Sequence, residues 1–424
     1  MNNLVEPKAI LPPQPAGMRH RFHAMVKPVG SLCNLNCTYC YYLHKDGLLH
    51  QPRAPRMTDE LLERHIRQYI EAQTGDEVVF SWQGGEPTLL GLDFFRKVVE
   101  LETRYKKPQQ RIENDLQTNG VLLDAEWAAF LKKHNFLVGL SCDGPKRLHD
   151  NHRVTKGGEP THDKVVMAAR LLQKHGVPFN ALCVVNRENA KYPLDVYRFL
   201  TRELGARRVQ LIPCVEAKAY CSVAPQRWDA ASMPVVGTPQ AEPGTADSVV
   251  TDWSVDPNDW GTFLCKVWDD WYQRGHFGKV LVDLFETAIA QSLGEPPQRC
   301  VTGEFCGKNM VIEHNGDVFA CDHYVYPEYR VGNISKTHWS AMAYSEIQKR
   351  FGFAKRNALP QYCRRCQHLN LCWGECPKNR LVRTPDGEAG LNYLCMGMKK
   401  FYMHIQKDMP EILHQVRKER RQRV

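Results

Sequence analysis

Short apolar segments alternate with amphipathic segments through the first half of the chain. The apolar segments are rich in β-branched or aromatic residues and predict six strands, at 24–29, 77–82, 111–117, 136–141, 178–185 and 207–213. The amphipathic segments between them predict helices, of which the first begins at the N-cap Thr58 and the later ones span 92–105, 124–134, 163–174 and 194–203. Repeated strand–helix units predict an α/β fold with a parallel barrel or a doubly wound sheet.

The second half of the chain has a different pattern. Residues 222–258 are rich in Pro, Ala, Ser, Thr and Asp without a clear period, which indicates a linker or surface insertion. A mixed helical stretch follows at 260–293, and the last thirty residues predict a terminal helix. We therefore divide the chain into an N-terminal tail, a barrel, a linker with a helical segment, a cysteine-rich domain and a basic C-terminal helix, at 1–21, 22–220, 221–295, 296–400 and 401–424.

Composition narrows the class of protein. The 424 residues suffice for two domains, and a hydrophobic content of 43% is ordinary for a globular protein. No apolar run reaches the roughly 18 residues of a membrane helix, and no export signal begins the chain, so we expect a cytoplasmic protein without a membrane partner. The basic residues at 417–423 are better explained as a solvated helix end than as a nucleic-acid-binding arm.

Three cysteines form the most informative motif. Cys33, Cys37 and Cys40 have C-x3-C-x2-C spacing and follow the first predicted strand. Three thiolates on one loop can hold three corners of an iron–sulfur cubane, which leaves one iron open to a small molecule. Because sites in parallel α/β folds lie at the C-terminal ends of the strands, we expect the cluster at that edge.

Polar residues follow the next three predicted strands. The glycines of Ser81–Pro87 allow close approach of a ligand to the backbone, although an ordinary turn has the same composition. Small polar residues also end the third and fourth strands, at 115–120 and 139–145. Ser141 and Arg153 are suited to binding a carboxylate, although turn serines and surface arginines are commonly structural.

Eight further cysteines lie in the C-terminal third and make two complete sets of four ligands: Cys300, Cys306, Cys321, Cys363, Cys366, Cys372, Cys376 and Cys395. Their spacing alone suits zinc and iron–sulfur sites equally. An iron–sulfur cluster on Cys33, Cys37 and Cys40 would favour iron–sulfur clusters here as well, because further redox centres would serve electron transfer and zinc has no redox chemistry. The remaining cysteines are expected to be buried thiols that pack as small apolar groups, namely Cys142, Cys183, Cys214, Cys221 and Cys265.

Together these motifs resemble the radical S-adenosylmethionine (SAM) superfamily, and within it the anaerobic sulfatase-maturating enzymes with a C-terminal SPASM domain. The matching segments are 33–42, 81–87, 116–120, 140–145, 321–324 and 363–376, within a resemblance that covers roughly residues 22–400. The resemblance implies a partial (β/α)6 barrel followed by a SPASM domain that holds two auxiliary clusters.

The same resemblance assigns residues to roles. It places one auxiliary cluster on Cys300, Cys306, Cys321 and Cys376, and the other on Cys363, Cys366, Cys372 and Cys395. It implies SAM contacts from Tyr39, Gly85, Ser141, Arg153 and the backbone near Val215. Substrate contacts are implied for Tyr42 and Gln83, and Asp322 is implied to be the base that deprotonates the substrate radical.

By resemblance, the cofactors are three 4Fe–4S clusters and SAM. The implied reaction is oxygen-independent oxidation of an active-site Cys or Ser of a sulfatase to Cα-formylglycine. The partners would be a Cys/Ser-x-Pro-x-Arg segment and an electron donor of the flavodoxin or ferredoxin type. A SPASM maturase acting on another ribosomal peptide is the alternative, and a non-catalytic metal-binding protein is a further one.

Overall fold

A computed structural model describes residues 21–422. The predicted N-terminal tail, except for its last residue, and the last two residues of the predicted basic helix lie outside the described residues. Within the described part, the basic residues from Arg417 onward are exposed, as a solvated helix end requires. None of the helices in this part of the chain has the length and apolar character of a transmembrane span.

One ten-stranded sheet organises the protein. Its strands in chain order are β1 His23–Lys27, β2 Glu77–Trp82, β3 Arg111–Thr118, β4 Leu137–Ser141, β5 Phe179–Val185, β6 Arg208–Pro213, β7 Leu281–Val282, β8 Asn309–Glu313, β9 Asp317–Phe319 and β10 Arg330–Asn333. The spatial order is β10-β9-β8-β1-β2-β3-β4-β5-β6-β7. A separate pair joins β11 Val382–Arg383 to β12 Ala389–Leu391.

The six predicted strands are present as β1 to β6, and all five pairings between neighbours are parallel. The sheet is consistent with the predicted partial barrel. The sequence pattern missed how the sheet continues at both edges. Strand β7 pairs in parallel with β6, and β8 pairs in parallel with β1, before β9 and β10 continue antiparallel.

Helices connect these strands and complete the C-terminal part. Their bounds are α1 Lys45–Leu48, α2 Asp59–Ala72, α3 Gly91–Tyr105, α4 Ala125–Lys133, α5 Lys146–His149, α6 His162–His175, α7 Pro193–Arg198, α8 Pro257–Gln273, α9 Asp283–Ser292, α10 Trp339–Ala343, α11 Glu346–Asn357, α12 Gln361–Arg364, α13 Leu369–Cys372, α14 Cys395–Ile405 and α15 Met409–Gln422. A π-helical turn, Phe199–Glu203, extends α7.

Local chemistry explains where several helices begin. The Thr58 hydroxyl accepts a hydrogen bond from the Leu61 N–H at 3.3 Å, which confirms the predicted N-cap of α2. Asp124 caps α4 in the same way, by accepting from the Trp127 N–H at 2.9 Å. Both caps satisfy N–H groups that have no partner within the helix.

The C-terminal part is built into the barrel rather than attached to its surface. Trp339 of α10 packs its ring 5.7 Å from Phe22 and 6.0 Å from Tyr69, measured between ring centroids. Its indole N–H also donates to His65 Nδ1 at 3.1 Å. The buried aromatic contacts therefore fix the later domain against the first strand and the first long helix.

The segment predicted as a linker or surface insertion also contributes to the core. Ala241, Val250 and Val255 are each at most 3% exposed. The Tyr329 hydroxyl donates to the Pro225 carbonyl at 2.8 Å, which ties the segment to the residues that follow β9. The predicted domain boundaries at 220 and 295 stay a prediction.

Two glycines allow α8 and α14 to cross at close range. A Cβ on Gly397 would lie 2.0 Å from the Pro257 carbonyl oxygen, and one on Gly261 would lie 2.7 Å from the Gly397 Cα. Real Cβ atoms do not approach backbone atoms this closely, so both positions require glycine. The crossing matters for the metal chemistry because α14 begins at Cys395.

We expect Gly397→Ala to destabilise the protein by at least about 1–3 kcal/mol through overpacking. An ordinary helical Gly→Ala change stabilises by roughly 1 kcal/mol, so a loss would oppose helix propensity. Gly47→Ala is the matched control, since nothing lies within 4 Å of a Cβ there. Anaerobic denaturant titration measures both variants. Equal stability of Gly397→Ala and wild type would contradict the close crossing.

Candidate active site and metal centres

The loop that carries Cys33, Cys37 and Cys40 follows β1 and brings their thiols together. The pKa of Cys33 is raised to about 11 and that of Cys37 to about 12, mainly by burial and in part by the neighbouring thiols. Burial likewise raises the pKa of Cys40. A buried thiolate needs a positive counter-charge, which bound iron supplies when it ligates the sulfur. The three sulfur donors therefore fit an iron–sulfur cluster.

Backbone contacts clamp this loop from two sides. On one side, the N–H groups of Gly85 and Glu86 donate to the carbonyls of Gly30 and Leu32 at 2.9 and 2.8 Å. On the other, Asn36 N–H donates to the Val154 carbonyl at 2.8 Å. Gly85 is required for this packing, because a Cβ there would lie 1.9 Å from the Leu32 carbonyl oxygen. Its predicted contact with SAM stays a prediction.

Glu86 connects the loop to the next strand end. Its carboxylate is fully buried and accepts hydrogen bonds from the Thr118 hydroxyl and the Asn119 N–H, both at 2.8 Å. The Asn119 side chain then donates to Asn34 Oδ1, inside the cysteine loop, at 2.8 Å. The polar ends of β2 and β3 thus support the loop directly, which the sequence motifs alone did not specify.

A buried charge cluster lies beyond the end of β4. Arg153 Nε donates to Asp143 Oδ2 at 2.9 Å, and the Tyr39 hydroxyl donates to the same carboxylate. Burial acts to raise the pKa of Asp143, but the charges of Arg153 and His149 and the hydrogen bonds from Arg153 and Tyr39 together outweigh it, so the pKa is lowered. Asp143 therefore stays ionised and holds both Arg153 and Tyr39 in place.

This cluster leaves donors available for a carboxylate. Within residues 21–422, the Arg153 side chain makes one hydrogen bond, from Nε, and the Ser141 hydroxyl makes none. Ser141 lies two residues before Asp143, at the end of β4. The free guanidinium N–H groups and the serine hydroxyl are the donor types that the carboxylate of SAM requires, so these residues fit that ligand.

The predicted backbone contact at Val215 has a protein partner. Lys378 Nζ donates to the Val215 carbonyl and also to Glu216 Oε1, the latter at 2.6 Å. Both charged side chains are nearly buried, at 12% and 8% exposure. Because Lys378 lies two residues after Cys376, this contact links the end of β6 to the C-terminal cysteines.

Asp322 lies between the two metal-binding regions. Its Oδ1 pairs with Lys27 Nζ at 2.6 Å, and its Oδ2 accepts a hydrogen bond from the Tyr41 hydroxyl. Burial acts to raise the pKa of Asp322, but the charges of Lys27 and His323 and the hydrogen bonds from Lys27 and Tyr41 together outweigh it, so the pKa is lowered. Tyr41 directly follows Cys40, and Asp322 directly follows Cys321. The hydrogen bond between Tyr41 and Asp322 therefore joins the N-terminal cysteine loop to the residue beside Cys321.

The two predicted substrate contacts differ in their surroundings. Tyr42 is 3% exposed, and its hydroxyl donates to Glu313 at the end of β8. Lys27 Nζ lies 4.4 Å from the centre of the Tyr42 ring. The Gln83 side chain has no hydrogen bond within the described residues, so its amide is available to a ligand.

The first auxiliary set gathers cysteines from distant parts of the C-terminal sequence. Burial raises the pKa of Cys321, and the thiols of Cys300, Cys376 and Cys306 raise it further. Lys355 is fully buried and donates to the Cys300 and Val301 carbonyls, each at 2.7 Å. The Cys376 thiol is thus near the thiols of the first set, and its role as a ligand of that set stays a prediction from the resemblance.

The second auxiliary set lines a cavity. The thiols of Cys363, Cys366, Cys372 and Cys395 surround it, together with His368, Met398 and Tyr402. Burial raises the pKa of Cys395 to about 12, with further contributions from Cys363 and Cys366. Four thiols around one cavity fit a fully ligated iron–sulfur cluster.

Among residues 21–422, no three His, Cys, Asp or Glu side chains are arranged as ligands of a single metal ion. In a four-iron cluster each cysteine ligates its own iron, so the thiols do not converge on one ion. Of the cysteines predicted to be buried and non-ligating, four are buried. Cys221 is exposed, so that prediction was wrong there, because it lies in a surface turn after β6.

Sequence reasoning missed three supporting residues. Lys27, Tyr41 and Asp143 received no role, although each lies within or beside a motif that was singled out. A lysine at the end of an apolar strand and an acidic residue two positions after another strand were the available signals. Lys27 and Tyr41 both contact Asp322, nearly 300 residues away, so that pairing was not readable from the sequence.

Family models match both parts of the chain. The radical SAM superfamily matches residues 28–200, which include the three-cysteine loop. An iron–sulfur cluster-binding domain, SPASM, matches residues 300–367. The first binds a 4Fe–4S cluster and SAM, and the second binds iron–sulfur clusters, which confirms the predicted cofactor types.

Similar proteins extend over nearly the whole chain. A serine-type anaerobic sulfatase-maturating enzyme of Bacteroides thetaiotaomicron is 43% identical over 90% of this chain and 89% of its own length. A cysteine-type enzyme of Clostridium perfringens is 33% identical over 89% of this chain and 94% of its own.

A solved structure gives the same result at the level of the fold. Native anSMEcpe with bound AdoMet and Cp18Cys peptide matches with a TM-score of 0.78 and 31% identity. The match covers 93% of this chain and 99% of that one. The chain is thus a radical SAM enzyme with a SPASM domain, and it belongs to the family of anaerobic sulfatase-maturating enzymes.

Proposed function

We propose that this protein matures a sulfatase by oxidising an active-site Cys or Ser to Cα-formylglycine without oxygen. The position of Asp322 carries the proposal: it contacts Lys27 and Tyr41 near the open cysteine loop and follows the auxiliary thiol of Cys321. When bound, the clusters and SAM supply a 5′-deoxyadenosyl radical that removes a hydrogen atom, and an acceptor for one electron. The protein must supply the base, the peptide site and the cluster ligands.

Asp322 is the proposed base. Its ion pair with Lys27 holds the carboxylate ionised, so it can accept a proton from the target side chain. Tyr41 fixes the second carboxylate oxygen and thereby orients the first. A base must lie within hydrogen-bonding reach of the proton that it removes. Lys27 and Tyr41 hold the carboxylate in one position and so restrict where the target side chain can bind.

The remaining site residues are proposed in the roles that the family resemblance implies. Cys33, Cys37 and Cys40 would bind the SAM cluster, and the two sets of four cysteines would bind the auxiliary clusters. Arg153 and Ser141 would hold the SAM carboxylate, with Tyr39, Gly85 and the Val215 backbone as further SAM contacts. Gln83 and Tyr42 would contact the peptide.

The substrate is proposed to be a Cys-x-Pro-x-Arg or Ser-x-Pro-x-Arg segment of a sulfatase. Relatives with both serine-type and cysteine-type names, and a peptide-bound relative, support a peptide substrate. A flavodoxin- or ferredoxin-type protein is proposed as electron donor. The cytoplasmic location stays a prediction from the sequence.

The proposed function is tested with short peptides that contain either target motif. Purified enzyme is incubated anaerobically with SAM, a reductant and the cysteine or serine peptide. Mass spectrometry of the peptide should show formylglycine from at least one of them, and chromatography should show 5′-deoxyadenosine. SAM cleavage with neither peptide oxidised would favour a maturase that acts on another peptide.

Replacing Cys33, Cys37 and Cys40 together by Ala should abolish SAM cleavage. The variant should keep about eight irons, because the two auxiliary sets provide complete ligation for two four-iron clusters. Iron and sulfide analysis and the 5′-deoxyadenosine assay check this. If the variant still produced 5′-deoxyadenosine, the open cluster would have to lie elsewhere.

Asp322→Asn keeps the shape of the side chain but removes its ability to accept the proton. We expect formylglycine formation to fall at least about a hundredfold, which is within the usual range for losing a positioned base. Iron content and SAM cleavage should stay at the wild-type level.

Asp317→Asn is the matched control for Asp322→Asn. Asp317 lies five residues earlier and pairs with Arg330 rather than with the site, so its replacement should leave peptide oxidation unchanged. Wild-type peptide oxidation by Asp322→Asn would show that the base is another residue.

Cys376→Ala tests the crossed ligand assignment. Removal of this thiol should perturb the cluster of Cys300, Cys306 and Cys321, although Cys376 is closer in sequence to Cys372. Electron paramagnetic resonance of the reduced protein should therefore show one altered auxiliary signal, and Cys363→Ala should alter the other. The same signal altered by both variants would contradict the crossed sets.

A further inference from the structure

Five consecutive residues connect the two auxiliary sets of thiols. Cys372 belongs to the second set and Cys376 to the first, and the residues between them are Trp373, Gly374 and Glu375. Trp373, Gly374 and Glu375 all have positive φ, so the connection is a tight left-handed turn. This turn brings the two cluster sites close in sequence as well as in space.

Arg380 is bound to this turn. Its Nε donates to the Gly374 carbonyl and its Nη2 to the Trp373 carbonyl, each at 3.4 Å. Arg380 is only 5% exposed, and its Nη1 is buried without a hydrogen-bond partner within residues 21–422. A Cβ on Gly374 would lie 2.9 Å from Nη2, so the glycine leaves room for the guanidinium.

The charge of Arg380 faces both sets of thiols. Burial lowers the pKa of Arg380, and the groups that oppose this effect are the Tyr324 hydroxyl and the thiols of Cys363, Cys306 and Cys376. Cys363 belongs to the second set, and the other two thiols belong to the first. The Arg380 charge in turn acts to lower the pKa of Cys306 and of Cys363.

Other buried or half-buried charges face one set at a time. The Lys355 charge acts to lower the pKa of Cys306 and of Cys376, both in the first set. The Lys399 charge acts to lower the pKa of Cys363 and of Cys395, both in the second set. Its Nζ donates a hydrogen bond to the Tyr362 hydroxyl at 2.6 Å. Glu375 is a buried carboxylate in the turn itself, and its charged neighbours are Arg299, Lys355 and Asp283.

We propose that Arg380 is a shared charge that raises the reduction potentials of both auxiliary clusters together. The inference rests on the ligand sets in the proposed function. A cluster becomes more negative by one charge when it is reduced, so a nearby fixed cation favours the reduced form. The effect is strengthened because a charge in a buried site is poorly screened.

This role would serve the proposed reaction. Oxidation of the target side chain removes one hydrogen atom, one proton and one electron. The hydrogen atom goes to the radical derived from SAM, the proton to Asp322 and the electron to an auxiliary cluster, which is reduced by one charge. Arg380 would make that transfer more favourable at either cluster without contacting the peptide.

The test compares Arg380→Gln, which removes the charge, with Arg380→Lys, which keeps it. Both full-length variants and wild type are titrated anaerobically against potential, and reduced auxiliary clusters are followed by electron paramagnetic resonance. The variant lacking Cys33, Cys37 and Cys40 is measured in parallel to identify the auxiliary signals. Lys399→Gln is the matched control, because it should shift only the second cluster.

We expect Arg380→Gln to lower the ratio of reduced to oxidised cluster at least tenfold at a given potential for both clusters, a shift of about 59 mV for a one-electron couple. Arg380→Lys should stay close to wild type. Unchanged potentials in Arg380→Gln with full iron content, or a shift confined to one cluster, would overturn the proposal.

Two further results separate structural effects from the effect of charge. Equal shifts in Arg380→Lys and Arg380→Gln would assign Arg380 a purely structural role and overturn the proposal. If Arg380→Gln fails to bind iron, the test rests on Arg380→Lys. Midpoint potentials like those of wild type in Arg380→Lys would support the proposal, and lowered midpoint potentials would overturn it. A triple cysteine variant without about eight irons would instead overturn the ligand sets themselves.

Discussion

The parallel pairing of β1 with β8 is the interaction on which the candidate site depends. It aligns five residues of each strand, from His23 opposite Asn309 to Lys27 opposite Glu313. The cysteine loop follows β1, and Cys321 and Asp322 follow the short strand after β8. Pairing of β1 with β8 therefore places the cysteine loop beside Cys321 and Asp322, although nearly 300 residues of sequence separate them.

Buried ion pairs fix the site at the same edge of the sheet. Lys27 with Asp322, Arg153 with Asp143 and Lys378 with Glu216 each join two separate elements. Desolvation of both partners offsets much of the Coulomb attraction, so such pairs contribute little net stability over apolar packing. These pairs instead specify the geometry of the site. A buried charge without its partner is costly, so each pair favours the arrangement in which the two side chains meet.

The metal centres impose a second constraint. Anionic thiolates are costly to bury unless positive charge lies nearby, and iron supplies most of it. Lys355, Lys399 and Arg380 add fixed cations around the auxiliary sets. The shortest of the connections between the proposed sets is the tight turn from Cys372 to Cys376.

The features that depend on local chemistry were predictable from the amino-acid sequence. Strand β2 has the bounds that apolar patterning predicts, and Thr58 caps α2 as its residue type indicates, because burial periodicity and capping act over a few residues. Spacing and resemblance also singled out the eleven cysteines that are predicted to be cluster ligands. Only the folded chain shows that β8 extends the sheet beside β1, that Lys27 and Tyr41 contact Asp322, and that Arg380 binds the turn between Cys372 and Cys376. These features depend on contacts between segments far apart in sequence, and no local pattern records which distant residue a buried charge will meet.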